Sequence, residues 1–125
     1  MKSKKQKRRW KKLEPKLTDF KIPLENGFVI IVEYWSHHGQ IARFVTVLIR
    51  LRDDGEGSGE ICRYDTAHGF AHLDILDNKR RVIHKMAVPG TPSFKRAIEY
   101  AINDLKTNYP QYWENFRAAQ KQPQR

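Results

Sequence analysis

The chain has a single cysteine, Cys62, which excludes an internal disulfide framework and any cysteine-rich zinc site. Such sparing use suits a reducing compartment, and the expected location is the cytoplasm. No run of about 18 apolar residues occurs, so neither a spanning helix nor a membrane partner is expected. The basic N-terminus is not followed by the apolar stretch that a secretory signal needs. No internal repeat of about 20–50 residues is found. Acidic residues are outnumbered, 14 Asp and Glu against 24 Lys and Arg, which leaves a net charge of +10. With 125 residues, 39% of them hydrophobic, there is material for one domain with a modest core.

The positive charge is concentrated at the ends. Residues 1–16 hold nine Lys and Arg against Glu14 alone, a net +8, and residues 117–125 add a net +3. The segment between them, 17–116, carries −1. The expected organisation is a basic tail over 1–17, a single domain over 18–117 and a short basic tail over 118–125. A dense block of like charge repels itself until a polyanion neutralises it. Nucleic acid is the commonest such polyanion, because each neutralised phosphate releases counterions. Lys4, Lys5, Lys7, Arg8, Arg9, Lys11 and Lys12 are the expected phosphate contacts, and Trp10 among them can stack on a base. A solubilising tail is the bland alternative, but a near-neutral body does not need eight extra charges for solubility.

The body predicts an α+β domain, an antiparallel meander of five or six strands with two C-terminal helices packed on one face. Asp19–Leu24 is a short extended segment, followed by a turn at Glu25-Asn26-Gly27. Phe28–Trp35 and Ile41–Arg52 are strands around a turn that holds His37 and His38. In the second of these, Ile41, Val45, Val47, Ile49 and Leu51 are expected to share a face. Glu60–Asp65, Phe70–Leu76 and Arg81–Val88 complete the meander. Ser93 can cap a helix over Phe94–Thr107, and Pro110 suits the first turn of a second helix running to about Gln120.

Residues Arg63 to Asp74, reading R-Y-D-T-A-H-G-F-A-H-L-D, carry the chemistry. With a loop at Thr66–Gly69, Asp65 is expected opposite Phe70 and Arg63 opposite His72. The next turn sets His72 opposite Lys85. Residues opposed in an antiparallel pair share a face. One face then shows Arg63, Asp65, Phe70, His72, Asp74, Arg81, Ile83 and Lys85, with His68 in the turn above. The other shows Cys62, Tyr64, Ala71, Leu73, Ile75, Val82, His84, Met86 and Val88, and is the expected core side. An antiparallel sheet often leaves one polar face wet, which would make the first set ordinary decoration. Yet two His, two Asp, Arg and Lys close together offer more than decoration requires. Histidine exchanges protons near neutrality, and Arg and Lys bind phosphate. Metal-free RNA cleavage needs such a set: a base for the 2′-hydroxyl, an acid for the leaving oxygen, and a cation for the charge on phosphorus. His72 is the expected main acid or base and His68 its partner. Arg63 and Lys85 would hold the phosphate, while Asp65 and Asp74 orient the histidines. RNA is therefore favoured over DNA. A metal held by His68, His72, Asp65 and Asp74 is the competing reading. Their spacing fits no defined metal motif, and Arg63 and Lys85 would repel a cation, so neither metal nor cofactor is expected.

The same Arg63–Asp74 hairpin resembles a group of small prokaryotic proteins without established activity. More distantly, it is similar to the TumE-type toxin components of toxin–antitoxin pairs. Those carry Arg-Tyr-Asp with a following Ala-His and further histidines, in a small sheet-plus-helix domain. This chain has Leu73 and Ile75 where that pattern has extra histidines, and its long basic N-terminus lies outside the pattern. The resemblance implies a ribonuclease-like activity with Arg63, Asp65, His68 and His72 as functional positions, and an antitoxin or other protein partner. The alternative is a non-catalytic RNA- or DNA-binding accessory subunit of a ribonucleoprotein or phage complex, in which the tail follows the phosphates and His72 is dispensable.

Overall fold

A computed structural model describes residues 14–51, 58–77, 79, 81–88 and 93–121, with the side chains of 58, 68, 120 and 121 excepted. Six strands form one sheet in the order β1-β2-β3-β4-β5-β6, every neighbouring pair antiparallel. They are β1 (Lys16–Pro23), β2 (Phe28–His37), β3 (Gln40–Leu51), β4 (Ser58–Asp65), β5 (His72–Leu76) and β6 (Val82–Ala87), followed by helix α1 (Phe94–Lys121). The meander follows from local chemistry. β2 and β3 are rich in β-branched and aromatic residues. The link between them is a two-residue turn in which His38 and Gly39 both take positive φ, 51° and 74°, as a tight hairpin demands. Pro23 sits at the end of an edge strand, where its missing N–H does no harm.

The C-terminal region is one helix, not two. Proline at position 110 cannot donate to the preceding turn, a defect worth about 3 kcal/mol in a helix interior, and on that ground a break was expected. Packing on both sides of Pro110 outweighs it. Ala97, Ala101 and Leu105 before it are fully buried, and Phe116 after it is 6% exposed. Tyr109 and Trp113 both lie against Phe28, with ring centroids 5.0 and 5.8 Å away. Both halves are thus committed to the same sheet face, and Pro110 itself stays exposed.

That face carries Phe28, Ile30, Val32, Phe44, Leu48, Cys62, Tyr64 and Leu73. Polar fastening crosses the same interface. Tyr64 on β4 and Tyr112 on α1 donate their hydroxyls to Asp104 Oδ2 at 2.6 and 2.5 Å, and Asn108 Nδ2 donates to Oδ1 at 2.7 Å. Burial, with the Asp104 bond next, pushes both tyrosine hydroxyls well above their ordinary range. Burial, then the charge of Asp104, does the same to the Cys62 thiol.

Bulges refine the expected faces. One between Trp35 and Ser36 leaves Ala42 without a partner and carries Ile41 to the helix side, away from Val45, Val47 and Ile49. A second makes Ile61 the extra residue of β4, buried at 1% exposure. β6 is an exposed edge strand throughout, so His84, expected to be covered on the core side, is exposed.

Two outcomes follow for stability. Replacing Asp104→Ala strands two hydroxyls and should lower the unfolding free energy by about 2–4 kcal/mol in urea titrations. Groups whose folded pKa is raised stabilise fully below their unfolded pKa and lose that contribution as pH rises. Urea midpoints should therefore begin to fall above about pH 8.5, from Cys62, and fall further above about pH 10, from Tyr64 and Tyr112. The double change Tyr64→Phe/Tyr112→Phe should make the later part of that fall shallower.

Candidate functional site

β4 ends at Asp65 and β5 begins at His72, and the six residues between them are tied down at several points. Asp65 Oδ1 accepts from Ala67 N–H at 3.1 Å, Gly69 N–H donates to Thr66 O at 3.1 Å, and Gly69 takes φ 83°, a conformation open to glycine. Thr66 Oγ1 accepts from Phe44 N–H at 3.1 Å, which pins the loop to β3. With the loop so held, Asp65 pairs with His72 and Arg63 with Asp74; across the next gap, Asp74 pairs with Lys85 and His72 with Ala87. The expected partners were two residues away. A shift of two preserves the face, so Arg63, Asp65, His72, Asp74 and Lys85 still lie on one side of the sheet.

The imidazole is the centre of the group. His72 Nε2 lies 2.7 Å from Asp65 Oδ1 and 3.6 Å from Asp74 Oδ2. Its Nδ1 faces the Phe70 carbonyl oxygen at 3.2 Å, and the Phe70 ring centroid is 5.4 Å away. His72 is 1% exposed and Asp74 7%. Both ring nitrogens therefore face oxygen acceptors, an arrangement that a doubly protonated ring satisfies fully and a neutral ring at one nitrogen only. Neither nitrogen is open to a molecule arriving from solvent.

The cations are less concentrated than expected. Lys85 Nζ approaches Asp74 Oδ1 only to 3.7 Å and is 46% exposed. Arg63 turns away from its cross-strand partner, and its Nη2 donates to both carboxylate oxygens of Glu60 at 2.8 and 2.9 Å. Arg81 belongs to the turn before β6, where its Nε donates to Asp77 Oδ2 at 2.8 Å. Asp77 is held below the usual carboxylate range, first by the Arg81 backbone N–H. The side chain of His68 lies outside the described residues, as do Lys4, Lys5, Lys7, Arg8, Arg9, Trp10, Lys11 and Lys12.

Sequence reasoning missed Glu60 and the Asp104 network. The first is the extra turn of charge that a bulge brings beside Arg63. The second had a signal: Asp104, Asn108 and Tyr112 recur at a spacing of four on one side of the helical stripe. Two concave features accompany the cluster. A cavity of about 250 Å³ on the same sheet face is lined by Val45, Val47, Ile49, Glu60 and Arg63, among others. A larger cleft of about 950 Å³ opens on the helix side, between Phe20, Tyr34 and Ile41 of the sheet and Phe94 and Ile98 of α1. Among the described residues, no helix is long and apolar enough to cross a membrane.

The chain belongs to the family described as "Domain of unknown function (DUF7718)", whose model matches residues 3–122. No curated protein matches the chain, and no solved structure does.

The geometry separates His72 from Lys85 in stability. His72→Ala leaves the buried Asp74 and the half-buried Asp65 without their partner and should cost about 3 kcal/mol. Lys85→Ala removes an exposed, distant charge and should cost less than about 1 kcal/mol. Thermal and urea unfolding of the two variants, side by side, check the difference.

Proposed function

We propose that this DUF7718 family member is a non-catalytic nucleic-acid-binding protein, an accessory subunit whose affinity comes from its N-terminal basic segment. The observation that carries the reading is the partition of charge. Residues 1–16 hold +8 while 17–116 hold −1, so the charge able to attract a polyanion is concentrated at the start of the sequence. The state of the cluster supports it from the other side. An acid–base residue must reach the proton it moves, and His72 has both nitrogens engaged and 1% of its surface exposed. Arg63 is tied to both carboxylate oxygens of Glu60, and Lys85, half exposed, makes only a loose pair with Asp74 at 3.7 Å. Contacts from lysines and arginines to phosphates position a protein without choosing sequence, and the binding is expected to be broad and sensitive to salt.

A metal-independent ribonuclease of toxin type is the other reading, and the resemblance of Arg63–Asp74 to TumE-type toxins is its support. One experiment separates the two. Full-length protein is mixed with single-stranded RNA across a salt series, with and without EDTA, and both binding and cleavage are followed. The expected outcome is binding without cleavage. Changing Lys4, Lys5, Lys7, Arg8, Arg9, Lys11 and Lys12 to Gln should abolish binding near physiological salt and flatten the log–log salt slope by about 5, at roughly 0.7 per lost contact. Cleavage that persists in EDTA and disappears with His72→Ala, in a variant that still binds, would overturn the reading in favour of the ribonuclease.

A further inference from the structure

The cluster at the β4–β5 junction has a second meaning that does not depend on nucleic acid. We propose that Asp65, His72 and Asp74 form a binding site for one divalent first-row transition-metal ion. Three donor atoms, the His72 ring nitrogen and one oxygen from each carboxylate, lie within 4.8 Å of one another. They come from two adjacent strands in fixed register, Asp65 opposite His72 and Asp74 two residues along the same face. The sheet thus holds them together at no extra ordering cost.

Three independent features point to a cation. The first is orientation. His72 Nδ1 faces the Phe70 carbonyl at 3.2 Å, the backbone partner that metal-bound histidines commonly keep behind the ring. If Nδ1 carries the proton given to that carbonyl, Nε2 presents a lone pair to two carboxylates, and lone pairs so close need a positive charge between them. A proton supplies it at the 2.7 Å separation of Nε2 and Asp65 Oδ1. A metal ion supplies it equally, once Asp65 and His72 separate by about 0.3 Å for an octahedral ion or about 0.7 Å for a tetrahedral one, to admit metal–ligand bonds of about 2.1 Å. The second feature is an incompletely satisfied carboxylate: Asp74 is only 7% exposed, its Oδ2 stands 3.6 Å from His72 Nε2, and its buried Oδ1, on the Lys85 side, has no hydrogen-bond partner. The third is charge. Two largely buried carboxylates bring −2, and the nearest described cation, Lys85 Nζ, stands 3.7 Å from Oδ1 with half its surface in water. Arg63, which from sequence would have repelled a metal, is turned onto Glu60.

The donor set selects the ion. Magnesium and calcium prefer all-oxygen shells, whereas one imidazole with two carboxylates suits zinc, manganese, iron, cobalt or nickel. A bound ion would rivet the end of β4 to the start of β5 and contribute stability that grows with the logarithm of the free ion concentration over its Kd.

The test uses full-length protein stripped with a chelator, then titrated with Zn²⁺ or Co²⁺ by calorimetry and thermal unfolding. The expected result is one ion per chain, a raised unfolding temperature, and at least about tenfold weaker binding in Asp74→Asn. His37 and His38, whose rings lie 4.1 Å apart in the β2–β3 turn, are the competing surface ligands. Binding should survive the double change His37→Ala/His38→Ala. Should Asp74→Asn fail to fold, the unaltered protein decides: Co²⁺ should broaden the ring resonances of His72 ahead of those of His37, His38 and His84. Absence of stoichiometric binding, or binding that is lost with His37 and His38 and kept in Asp74→Asn, overturns the proposal. RNA binding in the same preparations is read separately, so failure of the metal site and failure of the nucleic-acid reading are distinguishable.

Discussion

Much of this fold hangs on one carboxylate. Asp104 accepts from a tyrosine on the central strand β4 and from a tyrosine two turns along its own helix, while Asn108 occupies its other oxygen. Charge-assisted bonds of this length are strong, and here they cross the main interface of the molecule. They set the rotation of α1 about its axis. That rotation lays Ala97, Ala101 and Leu105 on the sheet in one direction and Trp113 and Phe116 in the other. Small alanines at one part of the contact suit a close approach of helix and sheet, and Tyr109 and Trp113 pack on Phe28 at another. The continuous helix through Pro110 is a consequence: a break there would release Tyr112 from Asp104 and Trp113 from Phe28.

The opposite face obeys a different rule. It is not packed by α1, yet Val47, Ile49, His72 and Asp74 are all buried there at 7% exposure or less. Polar groups in such a place must satisfy one another. Asp65 and His72 do so across the strands and Arg63 Nη2 bonds Glu60 along one, while Arg63 Nε and Asp74 Oδ1 are left unbonded. An arrangement this closed constrains chemistry as much as structure. A side chain whose hydrogen-bonding capacity is already used has little left for a substrate, which is why geometry favours a fastening role for the cluster over proton transfer.

The parts of this picture that could be read from the chain were those set by alternation and by turn chemistry. Strand positions from Phe28 to Ala87 follow from β-branched runs and Asn-Gly or His-Gly turns, and the shared face of Arg63, Asp65, His72, Asp74 and Lys85 follows from a period of two. A register error of two residues left that face intact, because parity and not pairing determines it. What could not be read was decided at longer range. The bulge at Ala42 moved Ile41 across the sheet without any local mark in sequence. Pro110 signals a helix end by every local rule, and only the tertiary contacts of Tyr112, Trp113 and Phe116 overrule it. Burial of His72 was equally invisible, since a residue on the polar face of an alternating strand has no sequence label for being enclosed. Arg63 was assigned to phosphate because its competitor, Glu60, lies three residues away on a strand, where alternation places the two on opposite faces until the bulge at Ile61 reunites them.

These constraints bear on how such a small chain divides its work. Among the described residues, six strands and one helix share one main apolar interface, and residues 17–116 are close to neutral, as compaction favours. Any polyanion-binding function must then be carried where it does not tax the fold, at the ends of the chain. The body is left free to hold a fixed polar cluster, and the burial that makes the cluster unsuited to a passing substrate makes it suited to a small ion. Buried carboxylates beside a buried imidazole are costly in isolation, and each further positive charge in their midst lowers that cost. A proton is the least that can occupy the gap between Asp65 and His72. A divalent ion would neutralise both carboxylates at once.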